Sequence, residues 1–395
     1  MKKNIAIISE YNPFHNGHIY QIQEIKKIYP NATITAIMSG NFVQRGEPAI
    51  LNKYERCKNA IYSGVDLVLQ IPTIYSLQSA ENFALGPYNI LEDLNVIDML
   101  SFGVETEDFE KLFEIAKFQY ENKEKLEKVI IDYMNRGNSY PKAFELATKK
   151  LFNEEVDVFQ SNNILALEYI KSKLKNNSSI ELLPIKRKGS SYLSEDYKKY
   201  LQPSATAIRK MVNQNKFELV NRFVPESTAT SLKNVHYNYD YYDIIKYHFL
   251  LQKREFDTIT GYEKGLDDML IKNLKSSNNF EEFIELSKSK RFKEGRIKRF
   301  ILNSLLNITK DFVDEAISTR PKFVNVLGFN ENGKEILKNI VENSNVSLIV
   351  NKKDFNLEDE LSKKLFQLEE KATTLYNIII GETKSEYEYF PIVRK

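Results

Sequence analysis

A short apolar run, Ile5-Ala6-Ile7-Ile8, feeds into Glu10-Tyr11-Asn12-Pro13-Phe14-His15-Asn16-Gly17-His18. An amphipathic stretch from Ile19 to Tyr29 leads out of it. No other stretch restricts the fold as tightly. It reads as a buried strand, a tight turn and a helix start. Two of the chain's four histidines, His15 and His18, stand where that helix begins. Gly17 between them lets another group approach the backbone closely. A helix N-terminus offers N–H groups and a partial positive charge. Together these make a place for a phosphate.

The rest of the first hundred residues repeats the strand-then-helix pattern. Thr33 to Met38 is a second β-branched run, broken by Ser39-Gly40-Asn41. Lys53 to Ser63 reads as a helix, Asp66 to Ile71 as a third strand, and Val96 to Phe102 as a fourth. Between the last two, Leu77 to Leu94 is helical, with an interruption expected at Gly86-Pro87. Such units imply a Rossmann-like parallel sheet with right-handed crossovers. Ligands of these sheets sit at the carboxyl ends of the strands. The loops at Glu10–His18, Ser39–Pro48, Pro72–Leu77 and Gly103 should therefore share one rim. Further on come helical stretches at 107–135, 141–152 and 161–174, a short strand at 180–185 and a polar loop at 186–200. Beyond Pro225 helical patterns dominate, with Phe323 to Leu327 as a strand-like exception and Leu357 to Ile378 as a long final helix. The expected organisation is an α/β nucleotidyltransferase-like domain at 1–225 and a mainly α-helical domain at 226–395.

Bulk properties bound the function. One cysteine, Cys57, excludes an intramolecular disulfide and a cysteine-based zinc cluster. No apolar stretch approaches a membrane span, and no signal peptide is read at the N-terminus, so the cytoplasm is the default location. A net charge of +2 does not by itself announce nucleic-acid binding, so local clusters must carry that argument.

Three further motifs bear on chemistry. Ser204-Ala205-Thr206-Ala207-Ile208-Arg209 reads as a Ser-capped amphipathic helix whose hydroxyls and Arg209 suit phosphate oxygens. Gly40-Asn41-Phe42-Val43-Gln44-Arg45-Gly46-Glu47-Pro48 suits an anionic ligand, a lid or a plain solvated turn. Lys186-Arg187-Lys188 follows a strand and suits a nucleotide phosphate or an RNA backbone, with a solvated charge run as its rival. A later basic cluster contains Lys288, Lys290, Arg291, Lys293, Arg296, Lys298 and Arg299. Arg296 and Arg299, three apart, share one helix face and form the best candidate nucleic-acid surface. His236, His248 and Cys57 show no partner spacing and read as structural.

His15-Asn16-Gly17-His18 resembles the His-x-Gly-His signature of the nucleotidyltransferase superfamily, and Ser204 to Arg209 resembles the helix start that completes such sites. Over nearly its whole length the chain resembles the tRNA(Met) cytidine acetate ligase family. The resemblance rests on the Glu10–His18 turn, Met38 to Phe42, Gln44 to Pro48, Tyr54-Glu55-Arg56, Ser63 to Val68, Asn162 to Leu165, Ser204 to Arg209, and Val326 to Asn330. It implies that ATP and acetate form acetyl-adenylate and pyrophosphate. The wobble cytidine of elongator tRNA(Met) would then become N4-acetylcytidine, with release of AMP.

Carried over by residue, His15, His18 and Arg209 would be catalytic. ATP would lie along Ile8, Ser9, Glu10, Tyr11, Asn12, Pro13, Phe14, His15, Asn16, Gly17, His18, Ile19, Tyr20 and Gln21. Further contacts would come from Gly103, Asn162, Arg187, Lys188, Ser204 and Thr206. Lys188 stands where relatives often carry an apolar residue, so its contact would be through backbone. Ser161 stands where many relatives have proline. A magnesium ion would ride on the phosphates, since no dedicated carboxylate cluster is visible. Acetate asks for a small, partly apolar pocket whose lining the sequence does not name. A small-molecule nucleotidyltransferase would share the phosphate motifs, and a non-catalytic RNA-binding protein the fold. The long helical region argues against the first, and intact His15, His18 and Arg209 against the second.

Overall fold

The computed structural model describes residues 2–152, 158–188, 203–233, 235, 240–252 and 255–395. His236, Gly189 and most of the 186–200 loop fall outside them.

The opening run is strand β1 (Asn4–Ser9), at the centre of the sheet. Its apolar residues are buried without alternation because strands flank it and helices cover both faces. On one side lies β2 (Thr33–Ser39). Between β2 and the next sheet strand sits a small hairpin, β3 (Phe42–Val43) and β4 (Glu47–Pro48). Beyond β2 lies β5 (Leu67–Ile71). On the other side of β1 are β6 (Met99–Val104) and β7 (Glu181–Lys186). All five sheet strands β1, β2, β5, β6 and β7 run parallel. Strand order therefore reverses at β1. The crevice outside the carboxyl ends of β1 and β6 is where such a sheet accepts a ligand.

The helical expectation after residue 225 holds, and the strand-like exception becomes β8 (Phe323–Asn330). It pairs antiparallel with β5 and carries β9 (Ser347–Ile349) and β10 (Ile392–Arg394) parallel to itself. The sheet thus crosses the boundary expected from sequence character. The apolar core does too, running from Leu69 and Tyr88 to Phe300 and Leu365. Glycines allow the close fit of β8. A Cβ at Gly328 would lie 2.6 Å from the Ile392 carbonyl oxygen, and one at Gly333 would lie 2.0 Å from that of Asp66. The Asp66 carboxylate gathers the Ile34 N–H at 2.8 Å and the Asn330 amide at 2.9 Å.

Two local expectations change. Gly86-Pro87 does not interrupt its helix, which runs unbroken over Ala80–Asp93 after a separate turn at Thr73–Ser76. Pro87 forfeits one backbone donor. Gly86 stands where a Cβ would sit 2.3 Å from the Tyr75 ring, so packing against that ring places the pair inside a helix. The Pro72–Leu77 segment forms that buried turn and does not line the cavity described below.

A buried polar network joins the sheet region to the final helix, Glu360–Ile380. The Lys53 ammonium donates to both Glu386 carboxylate oxygens, at 2.7 and 2.8 Å. Glu369 accepts from the Thr73 N–H and hydroxyl at 2.5 and 2.9 Å. Lys53, Glu369 and Glu386 are all withdrawn from solvent. Among the described residues no helix is long and apolar enough to cross a membrane.

Candidate active site

The turn after β1 is held from below. Arg56, fully buried, donates to the Glu10 carbonyl at 2.6 Å, to the Leu51 carbonyl at 2.9 Å and to the Gly40 carbonyl. Asn12 Oδ1 accepts the Ile50 N–H at 2.8 Å. The Asn12–Pro13 peptide is cis. This path delivers His15 as the N-cap of the Asn16–Ile28 helix.

The two histidines cap the helix reciprocally. His15 Nδ1 accepts the Gly17 N–H at 3.0 Å, and His18 Nδ1 accepts the His15 N–H at 3.1 Å. This is a capping box with imidazoles in place of the usual hydroxyl and carboxylate. The rings stack, with centroids 3.8 Å apart and planes 22° from parallel. An accepting Nδ1 bears no proton, so each neutral ring carries its hydrogen on Nε2. Burial holds both rings neutral, and the positive charge of Arg187 adds to it. His15 is lowered to about 3, and His18 lies well below the ordinary histidine value. Each ring therefore presents an N–H donor at a helix N-terminus.

Ser204 caps the facing Ala205–Asn213 helix, its hydroxyl accepting the Ala207 N–H at 3.2 Å. Arg209, one turn on and buried, donates to the Asn12 carbonyl at 2.8 Å and to the Thr206 hydroxyl at 3.3 Å. Glu47 lies 3.7 Å from Arg209 and 2.7 Å from Lys298 Nζ. Burial pushes the Glu47 carboxyl up, but these cations outweigh it and hold it below the ordinary value. Lys298 also pairs with Glu294 at 2.6 Å.

These groups surround one cavity of about 560 Å³. Ile8, Ser9, Glu10, Tyr11, Asn12, His15, His18 and Gln21 line it from the first strand and helix. Gly103, Asn162, Arg187, Ser204 and Arg209 line it from elsewhere. Gly103 lets Arg187 lie across the end of β6, since a Cβ there would meet the Arg187 chain at 3.1 Å. Pro13, Phe14, Asn16, Gly17, Ile19, Tyr20, Lys188 and Thr206 are not on its wall. Phe14 packs edge-on against Tyr11, and Asn16 binds the Phe223 and Arg222 carbonyls. Lys188 Nζ stands 5.0 Å from the Tyr20 ring centre. Asn162 does not cap its helix, whose N-cap is Gln160. Its side chain donates to Glu105 at 2.7 Å instead.

The basic cluster divides. Arg299 turns into the cavity and donates to the Gln44 carbonyl at 3.1 Å. Burial, and the charge of Arg296, lower it to about 10. Arg291 and Arg296 stay outside, both paired with Glu263, Arg296 at 2.6 Å. The sequence reading did not place Glu47, Glu294, Lys298, Phe83, Phe102 or Tyr169 on this wall. Its signals for any of them were the glycine-bracketed Gln44-Arg45 loop, which is the β3–β4 hairpin, and the basic cluster that holds Lys298.

That hairpin rests directly on the Glu294–Leu306 helix. Gly46 has φ +76°, and a Cβ on it would lie 2.3 Å from the Arg299 nitrogen. Gly46→Ala is expected to lower stability by about 1–3 kcal/mol from backbone strain alone. The backbone overlap adds to that figure. Urea unfolding followed by circular dichroism checks this, and an unchanged midpoint would show that the contact is loose.

Comparison with known proteins matches these features to a family. The family model described as HIGH Nucleotidyl Transferase matches residues 1–389. A tRNA(Met) cytidine acetate ligase of Thermoanaerobacter sp. (strain X514) is 38% identical over 384 residues, 95% of this chain and 94% of the relative. One from Caldanaerobacter subterraneus subsp. tengcongensis is 37% identical over 402 residues, 99% of both. The crystal structure of apo Thermotoga maritima TmcAL superposes with a TM-score of 0.91 at 30% identity, covering 99% of each chain. The same protein bound with alpha-thio ATP gives 0.88 at 29%, again over 99% of each.

Proposed function

Because the chain belongs to the HIGH nucleotidyl transferase family, alongside the tRNA(Met) cytidine acetate ligases, we propose that it joins acetate to a tRNA base at the expense of ATP. It is an ATP-dependent ligase. Acetate is activated as acetyl-adenylate, and the wobble cytidine of elongator tRNA(Met) is acetylated to N4-acetylcytidine. AMP and pyrophosphate leave. The observation that carries this reading is the paired Nε2–H donors of His15 and His18, set across one cavity from Arg209.

Acetate is a weak nucleophile, and its carbonyl is a poor electrophile until one oxygen is adenylated. In the first step that oxygen attacks the α-phosphate while charge grows on the departing pyrophosphate. Donors fixed beforehand stabilise that charge without reorganising. His15 and His18 supply neutral N–H donors, and Arg209 with the Ser204 hydroxyl supplies the facing set. Arg187, lying across Gly103 at the end of β6, offers its guanidinium to the rest of the nucleotide. Among the described residues no group of three or more His, Cys, Asp or Glu is placed to hold a metal. A magnesium ion on the triphosphate would therefore be held chiefly by phosphate oxygens. The cytoplasm, where ATP and tRNA are both available, is the proposed location.

Radiolabelled acetate, ATP and tRNA incubated with the protein test the function. Label should appear in N4-acetylcytidine of tRNA(Met). Label in a small molecule instead would favour a small-molecule nucleotidyltransferase.

For tRNA, Arg291 and Arg296 on the outer face are the proposed phosphate contacts, while Arg299 serves the cavity. Converting Arg291 and Arg296 together to alanine should weaken tRNA binding and reduce the slope of log affinity against log salt by about 1–2. Filter binding at several salt concentrations measures this, and an unchanged slope would remove that face from the RNA surface.

A further inference from the structure

Acetyl transfer to an exocyclic amine releases a proton, and the cavity must supply a group to receive it. We propose that Glu10 is the general base of this transfer, a role that rests on the acetyl-transfer reading above. The N4 nitrogen bonds to the acetyl carbon, and the carbonyl electron pair moves to oxygen. Collapse of that adduct breaks the bond between carbon and the adenylate oxygen, releasing AMP. The proton of N4 goes to the Glu10 carboxylate and then to solvent.

The surrounding groups lead to Glu10 by their occupation. Both imidazoles already use Nδ1 to accept backbone N–H groups, so neither has a free lone pair. Glu47 is bridged to Lys298 and Arg209, and Glu294 to Lys298. Burial keeps the Tyr169 phenol protonated. Lys298, Arg187, Arg209 and Arg299 are cations with no lone pair to offer. Glu10 differs. Its Oε1 is fixed by the Gln44 N–H at 2.8 Å, and Oε2 takes no hydrogen bond from the described residues. It stands on the wall of the same cavity as His15, His18 and Arg209.

The environment suits the task. Burial raises the Glu10 carboxyl above its ordinary value, against the Gln44 N–H and the nearby charges of Arg209, Arg45 and Arg56. Tyr169, on the helix packed opposite, also senses its charge. A base drawn toward neutrality transfers protons more effectively than an ordinary carboxylate.

The test supplies synthetic radiolabelled acetyl-adenylate with tRNA(Met), which bypasses adenylation, and follows label entering RNA against pH. Glu10→Gln keeps an oxygen for the Gln44 N–H. It should slow transfer by about 10²- to 10⁴-fold and lose the rising acidic limb of the profile. Glu10→Asp should keep that limb, and with it part of the rate. Transfer by Glu10→Gln at the wild-type rate would overturn the proposal. So would slow transfer with the acidic limb retained, which marks a structural role. Wild-type enzyme that moves no label from acetyl-adenylate would overturn the acetyl-transfer reading itself, and this proposal with it.

Discussion

Replacing His18 with alanine is expected to cut acetate-dependent pyrophosphate release about 10²- to 10³-fold, the usual cost of one fixed donor to developing charge. The loss should come mainly in kcat, because the donor matters most once charge has grown on phosphate. tRNA binding should change by less than about twofold, since the histidines lie within the cavity and away from Arg291 and Arg296, the proposed tRNA contacts. His18 also accepts the His15 N–H, so His18→Gln, which keeps a donor and an acceptor, separates chemistry from helix capping. Pyrophosphate release by His18→Ala within twofold of wild type would remove the ring from the site. The pair also predicts acid sensitivity. Both histidines titrate lower when folded, so the unfolded chain binds more protons below its ordinary value of 6.5. Their contribution to stability is complete above that value. It is lost as pH falls toward about 3, the folded value for His15. Urea midpoints measured between these limits should fall for wild type, and fall less in a variant lacking His18.

The largest stability effect is expected at Lys53. Lys53→Met leaves the Glu386 carboxylate buried without its cation, and removing one partner of a buried pair costs about 3–5 kcal/mol. Adding Glu386→Gln should recover part of that loss, because the stranded charge is gone. Four urea-unfolding curves complete the double-mutant cycle, and purely additive changes would show that the two groups are uncoupled. Lys352 offers a second readout. Burial lowers its ammonium to about 8, and the positive charge of Lys53 adds to that. In Lys53→Met the Lys352 value should rise.

The sequence made the repeating units legible because strand and helix periods are written locally. Ile5 to Ile8 and Thr33 to Met38 are continuous apolar runs, and Ile208, Met211 and Val212 mark one helix face. The Ser204 cap was readable for the same reason. What stayed hidden depends on residues distant in the chain. Spacing put Arg296 and Arg299 on one side of a helix, but periodicity does not say what that side looks toward. One guanidinium reaches Glu263 and the other the hairpin. Gly86-Pro87 looks like a break until the Tyr75 ring is placed against it. Likewise Phe323 to Leu327 announced a strand, but nothing local named β5 as its antiparallel partner.

That last pairing has a consequence for synthesis. Strand β5 exists early, yet Leu67 pairs with Phe329, most of a chain length later. While the ribosome works through the intervening residues, the β5 edge presents bare N–H and C=O groups, the kind of template that recruits foreign strands. Contacts so distant in sequence also slow folding, because a long loop must close before they reward it. The nascent chain should therefore be most prone to aggregate between emergence of the parallel strands and arrival of β8. A trapped nascent chain truncated before residue 323 would be the place to look for bound chaperone.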